Sequence, residues 1–148
     1  MQEMIFELCA ETIEACLAAR DGGAHRIELC SGLSEGGITP SRGLIAGAVE
    51  RRGLPVNVLV RPRGGNLVCC PSELDVMRQD IVHIKELGAA GVVFGILGGK
   101  GYVDVENTAE IVQLARPVKV TIHRAFDATP SLPHNLSKTS SLPALIAY

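Results

Sequence analysis

Aromatic residues are almost missing from this sequence. They make up 3% of its 148 residues, with no Trp, which argues against an aromatic-rich β-sandwich core. The formal net charge of −2 leaves no strongly basic surface, so nucleic acid is not an expected partner. No stretch approaches the roughly 18 apolar residues of a membrane span. Glu3, Glu7, Glu11 and Glu14 break up the N-terminal stretch, and no apolar signal-peptide core is expected there. The cysteines (Cys9, Cys16, Cys30, Cys69 and Cys70) form no C-x-x-C pair, which removes a zinc ribbon or thioredoxin-type site. Their odd number suits free thiols in the cytoplasm, with the nucleus as a second compartment.

What is present reads as an α/β protein. Apolar residues reach 47%, drawn mostly from Leu, Ile, Val and Ala, with 16 glycines. Residues 5–9 have the pattern of a short strand, and 12–21 the spacing of a helix stopped by Gly22-Gly23, with Glu11 and Thr12 at its cap. Further strands are expected at 26–30, 56–60, 91–97 and 118–123, and further helices at 41–51, 72–87 and 105–115. Strand and helix alternating at this spacing imply right-handed βαβ crossovers and a parallel sheet. The first turn, Cys9-Ala10-Glu11-Thr12, has no glycine, so a dinucleotide fingerprint is absent. Polar residues instead cluster at the C-terminal ends of successive strands, as at the rim of a βα-barrel.

After Asp127 the pattern is lost, among Pro130, Pro133 and Pro143. The expected division is 1–127 as the N-terminal portion of a barrel and 128–148 as a divergent, disordered tail. Five strands fall short of an eight-stranded barrel, which usually takes about 200 residues or more. The expected fold is therefore α/β: a partial TIM-like (β/α) barrel of about five parallel strands with helices, not closed. Such a sheet exposes edges and an apolar face, so self-association or a completing partner is expected.

Side-chain alternation puts Glu7 and Cys9 on one face, and Arg26, Glu28 and Cys30 on another strand's matching face. Phe6, Leu8, Ile27 and Leu29 then point to the helix layer. Glu7, Glu28 and His123 are candidates for acid–base work or metal ligation. Arg61, Arg63 and Arg124 are candidates for holding a small anionic ligand; a polar plug of mutually neutralised Glu and Arg is the structural alternative. Cys9 and Cys30, roughly 5 to 8 Å apart if their strands are neighbours, are candidate ligands for Cu(I). Cys69 and Cys70 read as surface thiols, and Cys16 as a small buried hydrophobe.

The segments Glu7-Leu8-Cys9, residues 26–41 (RIELCSGLSEGGITPS), 60–65 (VRPRGG), 91–95 (GVVFG) and 123–127 (HRAFD) resemble, in order and spacing, the CutC family. The resemblance runs from about residue 4 to 127, and its 26–41 segment is highly specific. It implies a TIM-like barrel, a cytoplasmic copper-homeostasis protein that binds Cu(I), and homo-oligomers. Cys9 and Cys30 match the strand-end cysteines to which that binding is attributed. His25, Asn66 and Cys69 depart from the family's usual Asp, Asp and Tyr. The alternatives are a rim enzyme acting on a small anionic substrate and an inactive truncated isoform.

Overall fold

The computed structural model describes residues 4–51, 53–140, 142 and 145–147. Six parallel strands pair in chain order: β1 (Glu7–Ala10), β2 (Arg26–Leu29), β3 (Val56–Leu59), β4 (Gly91–Phe94), β5 (Lys119–Ile122) and β6 (Leu145–Ala147). Helices α1 (Ile13–Asp21), α2 (Arg42–Glu50), α3 (Pro71–Glu86) and α4 (Val105–Ala115) link the first five strands, and α5 (Leu132–Thr139) precedes β6. The helix starts are chemically marked. Thr12, Ser41 and Asp104 accept the backbone N–H groups of Ala15, Leu44 and Asn107, each satisfying a donor that the first turn leaves orphaned.

The register separates the sheet into two faces. Leu8 lies opposite Ile27, Ile27 opposite Val56, and Val92 opposite Val120. This row packs on the helices, where Ile27, Leu29, Val58, Val60 and Val92 meet Ile45, Met77, Ile81, Ile84 and Ile111 in one core. The other row starts at Cys9 opposite Glu28, runs through Asn57 and Gly91, and includes Val93 opposite Thr121. Among the described residues a small apolar cluster, Cys30, Leu59 and Val93, packs on that inner side. In a closed barrel the inner side is a packed core built by strands all around; here β1 and β6 are the two edges.

The β1 edge departs from the sequence expectation. Leu8 has the helix-facing parity, yet it is 48% exposed where its register partner Ile27 is 3% exposed. Phe6, Ile5 and Met4 are exposed beside it. Ile27 has a strand on either side and Leu8 has one, so parity sets direction while neighbours set burial.

The expected architecture, a partial parallel βα-barrel that does not close, is what the structure has. It also draws α5 and β6 within 128–148, β6 pairing Leu145 with Val120. An eight-residue helix with a proline in its first turn and a three-residue strand are too short to mark a sequence by periodicity. Residues 141, 143, 144 and 148 of that stretch lie outside the described residues.

Candidate functional site at the strand-end rim

The inner faces of β1, β2, β3 and β5 end at a cleft of about 430 Å³. Its walls include Cys9, Glu28, Cys30, Arg61, His123 and Arg124. Six residues that the sequence singles out, from four different strand ends, thus share one space. Glu7 lies one layer below, and Arg63 lines a separate small crevice beside Cys69 and Met77.

One wall carries sulfur and carboxylate. Cys30 is buried and its thiol donates to the carbonyl of Ala10, 3.7 Å away across the strand pair. That contact leans its sulfur toward β1, beside Cys9. Burial, then the charges of Cys9, Glu28 and Glu11, push the Cys30 thiol up to about 12. Desolvation and the carboxylates of Glu28 and Glu7 also raise Cys9. Glu28 itself is pushed up to about 7, by burial first and then by the charge and hydrogen bond of Glu7, with Arg26 partly offsetting. Glu7 is held by an ion pair with Arg26 and a hydrogen bond from the Asn57 side chain at 3.0 Å. Glu7 is therefore secured by partners on β2 and β3.

The opposite wall carries cations. Arg61 is buried, and its guanidinium donates to the carbonyls of Glu35, Gly37 and Gly65 at 2.7–2.8 Å. Its own backbone is clamped by Thr39, which accepts the Arg61 N–H and donates to the Arg61 carbonyl. His123 is pushed down to about 4, chiefly by burial and further by Arg61 and Arg124. Its Nδ1 accepts the Ala125 N–H at 3.1 Å, so the neutral ring carries its proton on Nε2. Gly95 makes room for that ring, because a Cβ there would fall 2.6 Å from the ring and from Ala125. The Arg63 guanidinium is spent on Glu73 and on the carbonyls of Gly64, Asn66 and Val68. It ties the loop before α3 and does not line the rim cleft.

Three contributors escaped the sequence reading. Asn57 breaks a β-branched run at an inward position, a signal that was legible. Gly36 and Gly37 adopt φ of +83° and +86° and bring backbone against Arg124 and Leu59; their role shows only in three dimensions. Among the described residues, no group of three or more His, Cys, Asp or Glu side chains is placed to hold a metal ion. None of the described helices is long and apolar enough to cross a membrane.

An open fan of parallel strands, helices on its outer face and reactive side chains at its C-terminal rim together define a partial (β/α) barrel with a rim site. The CutC family model matches residues 4–143, and the chain belongs to the CutC family. A CutC family protein of Bacteroides fragilis is 44% identical over 128 residues, covering 86% of this chain and 51% of that one. The human protein named copper homeostasis protein cutC homolog is 46% identical over 123 residues, covering 83% and 45%. A solved CutC structure from Streptococcus agalactiae superposes with a TM-score of 0.86 at 32% identity, covering 94% of this chain and 69% of that one. The chain spans about half the length of these curated relatives.

Proposed function

We propose that this chain is a copper-homeostasis protein that binds Cu(I) between the thiolates of Cys9 and Cys30. The observation that supports this reading most directly is that both thiols line one cleft from adjacent strands. Cys9 lies opposite Glu28, two positions before Cys30, a diagonal of roughly 8 Å between Cα atoms that inward-leaning side chains can close. Two soft ligands without a third suit Cu(I), which accepts low coordination. His123 adds no ligand in this state, since its Nδ1 is taken by Ala125 and its Nε2 is protonated. Binding needs both thiols as thiolates, so two protons leave as the ion enters. Reduced thiols of this kind fit a cytoplasmic setting, and the exposed apolar edge at β1 fits homo-oligomers.

The test is Cu(I) titration against a chromophoric chelator under anaerobic conditions. Cys9→Ser/Cys30→Ser is expected to abolish stoichiometric binding, while Cys69→Ser/Cys70→Ser retains it. Binding that survives in the first double variant sinks the reading.

A second reading is acid–base chemistry at the rim. Glu28, raised to about 7, is the observation in its favour, because a carboxyl poised there gives and takes protons at neutral pH. Glu28→Gln would then abolish turnover of a rim substrate without abolishing copper binding.

A further inference from the structure

Arg61 carries a charge into the inner face of the sheet, and among the described residues no carboxylate forms an ion pair with it; Glu35 acts on it only at longer range. Only 7% of the residue is exposed, three of its N–H groups go to neutral carbonyls, and its buried Nε has no hydrogen-bond partner among the described residues. A buried charged donor left without an acceptor is costly. Arg124 lines the same cleft. Among the described residues, neither Arg61 nor Arg124 takes part in an ion pair. The two repel each other, and Arg124 adds to burial in pulling the Arg61 pKa down.

His123 supplies a third donor. With Nδ1 accepting from Ala125, its Nε2–H is the group left to donate. The Arg124 guanidinium lies against the glycine loop, its Nη2 2.0 Å from where a Cβ on Gly36 would stand. Any larger residue there would displace it. The carboxyls nearby do not pair with this wall: among the described residues neither Glu28 nor Asp127, which line the cleft, nor Glu35 forms an ion pair with either arginine.

We propose that Arg61, Arg124 and His123 form a seat for a phosphoryl group, free or carried on a small monoester, beside the thiol pair. Two cations without an ion-pair partner among the described residues match a dianion better than a monoanion. Donors from three residues match the several oxygens of a tetrahedral group, whereas the two oxygens of a carboxylate would leave one donor unmet. The seat uses no sulfur and stands independently of copper binding.

Calorimetry of the full chain with inorganic phosphate and, separately, with glycerol 3-phosphate tests the seat. Saturable binding is expected. Arg124→Gln is expected to weaken it roughly ten- to a hundredfold through loss of a charge-assisted contact. Arg124→Lys, which keeps the charge and loses the fork, should fall between. Cys9→Ser/Cys30→Ser should bind phosphate as the wild type does, which separates this seat from the copper reading. Tighter binding of the ester assigns the seat to phosphorylated metabolites, and equal binding assigns it to free phosphate. If the variants fail to fold, a phosphate-dependent shift of the His123 ring proton resonances in the wild type serves instead. No saturable binding, unchanged affinity in folded Arg124→Gln, or immobile His123 resonances would overturn the proposal.

Discussion

Copper binding at the thiol pair should depend steeply on pH, with a break set by Glu28. Both thiols keep their protons near neutrality, Cys30 being pushed from 9.0 up to about 12 and Cys9 raised above its ordinary value. Ionising Cys30 is therefore about 4 kcal/mol harder than ionising an ordinary thiol, a cost that the metal–sulfur bonds must offset. An ion that takes both thiolates releases two protons, so its apparent association constant should rise about a hundredfold per pH unit. Above about 7, Glu28 is itself a carboxylate in the free cleft. A bis-thiolate copper centre carries one net negative charge and drives Glu28 to recover its proton. Net release then falls from two protons toward one, and the slope drops toward about tenfold per pH unit. The assay is competition with a Cu(I) chelator from about pH 6 to pH 8, corrected for the chelator's own titration. Glu28→Gln should hold the steeper slope throughout. A slope near zero would refute the two-thiol mechanism, and a wild type without the break would refute the coupling to Glu28.

Other perturbations probe the scaffold around the cleft. His123 titrates near 4 when folded against 6.5 in the unfolded chain, so the unfolded state binds more protons in that window. Its contribution is fully present above about pH 6.5 and is lost as pH falls toward 4, a total of about 3 kcal/mol; urea melts across that range should show the loss, and His123→Phe should flatten it. Glu7→Gln removes both the charge and the hydrogen bond that help raise Glu28, so an NMR titration should find Glu28 shifted down; an unmoved Glu28 would mean burial alone sets it. Gly95→Ala forces a Cβ within 2.6–2.7 Å of His123 and Ala125 and should cost about 1–3 kcal/mol in denaturant unfolding; a neutral result would mean that ring and methyl yield freely. Phe6→Ser/Leu8→Ser should reduce self-association in light scattering, since both side chains are exposed on the β1 edge.

Much of this site was legible because strand parity is a strict rule. Glu7 with Cys9, and Glu28 with Cys30, share a face for reasons of pleat alone, and the structure puts those faces side by side. The helix starts were legible for the same reason, as Thr12 has the chemistry to accept a first-turn N–H and does so. Parity fails to tell what a loop does with a long side chain. Arg61 and Arg63 stand two residues apart and look equivalent in sequence. One ends on carbonyls beside the cleft and the other is consumed by Glu73 ten residues on. The difference depends on where α3 begins relative to the turn, and that is a tertiary fact. Burial at β1 was illegible in the same way, because the number of neighbouring strands is not written in β1.

The cleft therefore has two walls of opposite character, both built from strand ends that the chain contains. Thiols and a near-neutral carboxyl come from β1 and β2, and cations and a neutral imidazole come from β3, β5 and the loops they carry. Their support differs. Val58, Val92 and Val93 in β3 and β4 are at most 1% exposed, so the core beneath the cationic wall is fully packed. The sulfur wall includes the edge strand, where Leu8 is half exposed and β1 has one neighbour. What secures β1 on the inner side is Glu7, bound by Arg26 and by Asn57. Local opening concentrates where burial is least. Hydrogen exchange should consequently be fastest in β1 among the first five strands, and copper, by tying Cys9 to Cys30, should slow it there before it slows it anywhere else.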